Sequence, residues 1–385
     1  MIIFWFSEIK WDYLRTRKQQ LLSRFPKSDF IFFIEPISRL IKNKYTFQNN
    51  NPIYNITIPQ LRSVSNPYIF YIINLKIIRK CISKVSTIWF SLIRILSRKI
   101  PDIFVTSNVY WIDTINSLLK KYPNAKLIYD CNDAPLSFAT IPESTKEYFI
   151  KTISIAHKIV IPHKSYIKFI PKQYQNKIKI ISNGVDYSAF QPKKISLSLF
   201  EKIPGPILMY IGAIAEWFDF NLIKSISKEL TDVQIFLIGP VGKNSKNNLD
   251  NLILEKNITH IPTVPHDEMI YYLHYADVCV IPFLRTELTS TILPNKIFEY
   301  SAAGKPCVMT NFNEYLSEYK EHLFIAENLE DFISNIKTNI KFPPPKNQLK
   351  EFASKYKWED ISKTFHSYLM TVIDDQVQGE SVSQQ

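Results

Sequence analysis

Short apolar runs recur along this chain, and between most of them apolar residues return every three or four positions. The runs fall at residues 1–6, 29–34, 53–58, 103–107, 126–130, 158–162 and 178–181, and again at 207–211, 234–238, 259–262, 278–282 and 306–309. Runs that are apolar throughout, rather than at alternate positions, predict strands covered on both faces. The intervening segments 17–25, 112–121, 143–157, 221–230, 266–275 and 295–303 carry a helical period. Strand and helix alternating in this way predict an α/β fold built on parallel sheets.

The alternation lapses once. Residues 186–206 have no clear period and include Pro192, Lys193, Lys194, Pro204 and Gly205, which reads as a linker. Two domains are therefore expected, 1–190 and 191–350. A closing helix over 351–373 follows, with Trp358 near its start, and a polar tail at 374–385 is expected to be disordered. The longest apolar region, 68–100, is broken by Lys76, Arg79, Lys80, Lys84, Arg94, Arg98 and Lys99. It is interrupted too often to span a bilayer and predicts one or two helices with basic faces. The apolar start is cut by Glu8 with no small-residue cleavage site after it, so no secretory signal is expected.

Composition changes this picture in three ways. The chain has 385 residues and is 46% hydrophobic, enough for two cores. Its net charge of +12 points to an anionic partner, such as a nucleotide or a phospholipid surface, although heavy use of Lys, Ile and Asn also fits base bias in the genome. The positive charge is dispersed and no nucleic-acid-binding motif accompanies it, so nucleic acid is not an expected partner. The cysteines Cys81, Cys131, Cys279 and Cys307 show no CxxC spacing, which argues against zinc and fits reduced thiols in the cytosol. Glycine is scarce, and all but Gly379 lie between Gly184 and Gly304, so each should mark a backbone requirement.

Candidate chemistry concentrates in residues 285–308, RTELTSTILPNKIFEYSAAGKPCV. A hydroxyl-rich loop with Arg285, Thr289, Ser290 and Thr291 leads to a helix whose first turn holds Pro294, Asn295 and Lys296. Backbone N–H groups, hydroxyls and a lysine at a helix start suit a phosphate. Glu299 follows on the same face as Lys296 and Asn295, at spacings of three and four. A carboxylate there can accept two hydrogen bonds from a ribose diol, so the pattern suggests a nucleoside diphosphate site. An ordinary capping loop with a solvated glutamate fits the same residues, and the pattern alone leaves both open.

A second candidate is the turn Asp130-Cys131-Asn132-Asp133, at the carboxyl end of a strand, where ligands collect in open α/β sheets. Asp130 and Asp133 could act in chemistry or bind a polyol; Asp133 could equally cap the turn. The loop after the first strand, 7–17, holds Trp11 and Arg15 at a corresponding strand end.

The order of segments resembles glycosyltransferases of the GT-B fold, in particular family 4-like enzymes of bacterial surface polysaccharide assembly, including the teichuronic acid type. The matching pieces are LIYDCNDAP at 127–135, AHKIVIPHKSY at 156–166, IISNGVDYSAF at 180–190, ILMYIGAIAEWFDFNLI at 207–223, FLIGP at 236–240, ADVCVIPF at 276–283 and LPNKIFEYSAAGKPCV at 293–308, followed by FASKYKWEDISKTF at 352–365.

The resemblance implies two Rossmann-like domains facing across a cleft, with the closing helix packed back on the first. It implies a nucleotide-sugar donor, UDP- or GDP-linked, in the second domain and a glycan or lipid-linked acceptor at the first. No cofactor and no metal are expected for the chemistry. Glu299 would take the ribose hydroxyls. Lys296 and the loop 289–291 would face the diphosphate. Gly212, Ala213, Gly239 and Pro240 would pack against phosphate and base, and residues 260–264, ending in Val264, would line the base. Asp133 would contact a sugar hydroxyl or act as base. The setting would be cytoplasmic, with peripheral contact to an anionic membrane through the basic helices and Arg15, Arg17 and Lys18.

Two positions depart from the family pattern. Relatives often carry a second glutamate separated by seven residues from the one matching Glu299, and here that position is Thr291. Many also carry an Arg and a Lys in the loop that here reads Gly212-Ala213-Ile214-Ala215-Glu216-Trp217. These departures leave two alternatives beside a retaining transferase: a degenerate homologue that binds a sugar nucleotide as scaffold or sensor, and a sugar-nucleotide epimerase.

Overall fold

The structure, a computed structural model, describes residues 1–12, 15–36, 53–58, 75–132, 143–191 and 197–382. The described chain forms two compact units, Met1–Asn183 with Trp358–Gln385, and Gly184–Lys357. The divisions thus fall at 183/184 and 357/358 rather than at 190/191 and 350/351. Each unit is built on a parallel sheet, as the unbroken apolar runs require.

The first sheet runs in the order β3-β2-β1-β4-β5-β6-β7. Its strands are β1 (Ile2–Phe6), β2 (Phe30–Pro36), β3 (Ile53–Ile58), β4 (Ile103–Thr106), β5 (Lys126–Asp130), β6 (Lys158–Ile161) and β7 (Ile178–Ile180). Alternate residues of β1 serve opposite faces. Phe4 stacks on Phe32 at 4.5 Å and meets Phe90, from the helix Lys76–Ser97, at 4.6 Å. Trp5 meets Phe365, from the helix Trp358–Val382, at 5.8 Å. That last helix is tied to the first unit by polar contacts as well. Ser362 donates to the Leu21 carbonyl at 2.8 Å, His366 lies 2.7 Å from Asp29, and Arg24 pairs with Glu359 at 2.8 Å.

The second sheet runs β10-β9-β8-β11-β12-β13. Its strands are β8 (Ile207–Ile211), β9 (Gln234–Ile238), β10 (Ile258–Ile261), β11 (Val278–Ile281), β12 (Cys307–Thr310) and β13 (Phe324–Ala326). The order reverses at β8, between β9 and β11. In open parallel sheets the loops at such a reversal diverge and leave a crevice at the strands' carboxyl ends.

Three expectations need correction, and a fourth is met in part. The linker is partly structured: Ser198–Glu201 is a helical turn, and Phe200 is buried against Phe236 at 4.7 Å and Tyr275 at 5.0 Å. A four-residue helix is too short to show a period. The single closing helix is two, Lys346–Ser354 and Trp358–Val382, broken near Lys355. Helix continues to Val382 where a disordered tail was expected from 374, in a stretch without proline. The apolar region 68–100 contributes one helix, Lys76–Ser97, and its residues 68–74 lie outside the described ones.

Candidate functional site

The second unit brings three of its predicted segments together at the sheet reversal. β8 ends into Gly212 and β9 into Gly239, with the Gly212 N–H donating to the Ile238 carbonyl at 2.8 Å. A Cβ on Gly239 would lie 2.2 Å from the Gly212 carbonyl oxygen. A Cβ on Gly212 would lie 2.2 Å from Lys296 Cε and 2.4 Å from its Nζ. Both glycines are therefore set by close approach: bare backbone at Gly239 admits the Gly212 carbonyl, and bare backbone at Gly212 leaves the room that the Lys296 side chain occupies.

Lys296 starts the helix Lys296–Ala302, which is fixed from beneath. Ile297, Phe298 and Tyr300 are fully buried, and the Tyr300 hydroxyl accepts from the Ile211 N–H at 3.0 Å, tying the helix to the end of β8. Gly304, at φ +70°, ends it in the left-handed turn that glycine favours. The Lys296 ammonium lies 5.6 Å from the Tyr210 ring centre. Among the described residues it makes no hydrogen bond and no ion pair. Burial pulls its pKa down, and the nearby Glu299 only partly offsets this. An unpartnered ammonium in this position is costly in an empty site and favourable beside an anion.

One turn on, Glu299 is 14% exposed, with one carboxylate oxygen 3.4 Å from His266 Nε2. Burial would raise this carboxyl, but the His266 contact and the Lys296 charge hold it below its ordinary range. Glu299 is thus an ionised acceptor at the mouth of the site. Beside it, the Asn295 side-chain oxygen is buried without a hydrogen-bond partner among the described residues. His260 Nε2 lies 3.0 Å from the Gly239 carbonyl, Val264 is half-buried against the core, and Pro240 is exposed with its carbonyl accepting from Ile214 at 2.9 Å. Ala213 is half-buried, its carbonyl accepting from the Tyr210 hydroxyl at 2.7 Å.

The loop hydroxyls do something other than expected. Thr289 donates to the Leu284 carbonyl at 2.5 Å, Ser290 to Glu287 at 2.8 Å and Thr291 to Leu288 at 2.8 Å. Each hydroxyl has a single proton, so all three are committed to the loop itself. Thr289 and Thr291 are buried, and Arg285 is exposed. These hydroxyls shape the loop; they are not free donors for a ligand.

The first-unit candidates are placed differently. Asp130 is 1% exposed, and Arg17 Nε lies 3.1 and 3.2 Å from its two oxygens. Arg17 also donates to the Ser182 and Ile181 carbonyls and to the Asn183 side chain, at 2.7, 2.9 and 3.0 Å. Burial raises the Asp130 carboxyl and Arg17 pulls it back, leaving it above its ordinary value. Asp130 is the buried partner of an arginine that ties β5 to the chain after β7. Trp11, expected on the acceptor side, is 2% exposed and packs edge-on against Phe33 at 5.0 Å, its backbone N–H donating to the Glu35 carboxylate at 2.8 Å. Arg15 is exposed, and Asp133 lies outside the described residues. Sequence reasoning missed His266 as the partner of Glu299 and Arg17 as the partner of Asp130; both pairs are far apart in the chain and nothing local signals them.

Known proteins fit this arrangement. Residues 205–341, most of the second unit, match the family model described as Glycosyl transferases group 1. Over the whole chain, a Thermosynechococcus elongatus sucrose-phosphate synthase superposes with a TM-score of 0.72 at 11% identity, covering 97% of this chain and all 100% of that one. Anabaena HepE in complex with UDP and glucose superposes with a TM-score of 0.68 at 12% identity, covering 96% of this chain and 100% of that chain. The fold is GT-B. A curated relative, the teichuronic acid biosynthesis glycosyltransferase TuaH of Bacillus subtilis, is 27% identical over 219 residues, 51% of this chain. The chain spans about half the length of that relative, 55%.

Proposed function

We propose that this protein is a glycosyltransferase that takes a sugar from a nucleoside diphosphate sugar and moves it to a glycan or lipid-linked acceptor of a surface polysaccharide, with retention. The observation that carries the reading is the half-buried Lys296 ammonium, which makes no hydrogen bond or ion pair among the described residues, packed against the bare backbone of Gly212 and one turn from an ionised Glu299. A diphosphate would supply the missing charge, and Glu299 would accept from the ribose hydroxyls. In transfer, the bond from the anomeric carbon to the diphosphate oxygen breaks and a bond to the acceptor oxygen forms. The acceptor proton goes to a base, and the nucleoside diphosphate leaves. Charge grows on the leaving oxygen, so a fixed ammonium beside it lowers the barrier.

The comparisons support parts of this reading. HepE is a protein seen with UDP and with UDP-glucose, which favours a UDP-linked donor, with GDP the alternative. TuaH is named for teichuronic acid biosynthesis, which supports a polysaccharide acceptor. Asp133 is the candidate for the acceptor proton, since Asp130 is held by Arg17. The work is assigned to the cytoplasm. In this account Glu299→Ala keeps the fold and cuts transfer from a UDP- or GDP-sugar by at least ~100-fold, because a ligand hydrogen bond to a charged group is lost in both binding and transition state. Transfer at the wild-type rate by that variant would remove Glu299 from the site. A non-catalytic sugar-nucleotide binder has one specific support: Thr291, where relatives carry an acid, has its hydroxyl turned to the Leu288 carbonyl. Nucleotide binding without turnover on any acceptor would favour it, and products formed from a nucleotide sugar alone would favour an epimerase.

A further inference from the structure

The helix Lys76–Ser97 has two apolar faces, and only one of them is used. Phe90 on the inner face is fully buried, packing against Phe4 at 4.6 Å, Phe104 at 5.9 Å and Tyr122 at 6.1 Å. The outer face of such a helix is ordinarily polar. Here it carries Ile77, Val85, Ile88, Leu92 and Ile95, spaced by threes, fours and their multiples, with Trp89 at the border. Ile77 is 75% exposed, Ile88 61%, Ile95 62%, Trp89 50%, Leu92 48% and Val85 42%. Scattered surface leucines need no explanation, but a continuous stripe of this kind does.

The charges beside the stripe say what would cover it. Lys80 and Lys84 are exposed along one edge, and Arg98 is exposed just past the end. The helix contains no Asp or Glu. Arg79, on the inner side, lies over the Tyr148 ring at 4.9 Å and near Glu147 at 3.7 Å, so that base is already partnered, while the outer lysines have no ion pair among the described residues. An apolar sector, a basic edge and a tryptophan at the boundary make the profile of a helix lying in a lipid interface. Lysines of this kind bury their stems and leave their ammonium groups at the level of lipid phosphates. No described helix is long and apolar enough to cross a membrane, so contact would be in the plane of the surface.

We infer that the outer face of Lys76–Ser97 docks the first unit on an anionic phospholipid surface. A second copy of the chain is a poorer occupant, because a two-fold contact would set the same acid-free, lysine-edged helix against itself. The inference stands on its own observations and does not depend on the transfer reaction, although it would place the protein where lipid-linked acceptors are.

The test is sedimentation of the full chain with vesicles of phosphatidylcholine alone and of phosphatidylcholine with phosphatidylglycerol. Binding should need phosphatidylglycerol and weaken with added salt. Cys81 gives a second readout: it is exposed while the other three cysteines are buried, so a polarity-sensitive thiol dye there should shift to the blue on binding. The double variant Ile88→Glu/Leu92→Glu should lose at least ~10-fold in vesicle affinity, with its melting temperature unchanged because both side chains point outward. Lys80→Ser/Lys84→Ser should lose ~10-fold or more and flatten the salt dependence. Wild-type protein that ignores phosphatidylglycerol, or a folded Ile88→Glu/Leu92→Glu variant that pellets like wild type, would overturn the inference. So would a wild-type dimer that this variant turns into a monomer, which would assign the face to a second copy.

Discussion

Lys296 and Glu299 are three residues apart and face opposite electrostatic problems. Burial penalises both charges, but Glu299 has His266 and Lys296 to hold it ionised, whereas Lys296 has only the Glu299 charge at a distance. Glu299 ionises below its ordinary pKa in the fold, so its contribution to stability is fully present above that ordinary value. It is lost as pH falls through the lowered one. Melting curves of the wild type and Glu299→Gln should therefore differ at pH 7, with the gap closing as pH falls below the ordinary glutamate range; a gap that stays constant with pH would mean the carboxylate is not held ionised. The sequence placed Lys296 and Glu299 correctly on one helix face because helical spacing alone decides that. It did not reveal His266, which reaches Glu299 only through the fold of the second unit. Nor could it show that the Thr289, Ser290 and Thr291 hydroxyls turn inward, since a hydroxyl-rich loop looks the same whether it binds a ligand or itself.

At the scale of elements, the site depends on two strand ends and one helix start meeting without side chains between them. Gly239→Ala would place a Cβ 2.2 Å from the Gly212 backbone oxygen, which cannot swing away. Gly212→Ala would instead meet the tip of Lys296, which can move. Gly239→Ala should thus destabilise the protein by roughly 2–4 kcal/mol. Gly212→Ala should cost less stability, yet weaken nucleotide binding by displacing the lysine. Chemical denaturation alongside nucleotide titration of the two variants separates these effects, and equal stability losses would contradict the packing argument. Strand positions were legible from the apolar runs, several to the residue, as at β3, β5, β8 and β9. The elements between β12 and the end of Lys346–Ser354 were not, because β13 has only three residues and the helices there mix apolar and charged positions. The Asp130 turn was legible as a strand end, but its aspartate is matched to Arg17 from a helix more than a hundred residues earlier.

For the whole molecule, the account assigns donor binding to the second unit, where the family model also matches, and membrane contact to the first. The two-domain GT-B fold was legible from the order of motifs, whereas the half-buried state of Lys296, unpartnered among the described residues, emerged only from the packing. That state makes opposite demands on stability and binding. Without nucleotide, the fold lowers the Lys296 pKa, so at pH 7 the charged form is disfavoured on folding. Lys296→Met should therefore raise the melting temperature of the free protein. The same change removes the charge the diphosphate needs. The most direct measurement is thermal melting of the wild type and Lys296→Met, with and without UDP, GDP, CDP and ADP. The account predicts that one of these nucleotides, UDP foremost, stabilises the wild type in a concentration-dependent way, and that Lys296→Met melts higher when free but gains nothing from it. A wild type that responds to none of the four, or a Lys296→Met variant stabilised as much as the wild type, would contradict it.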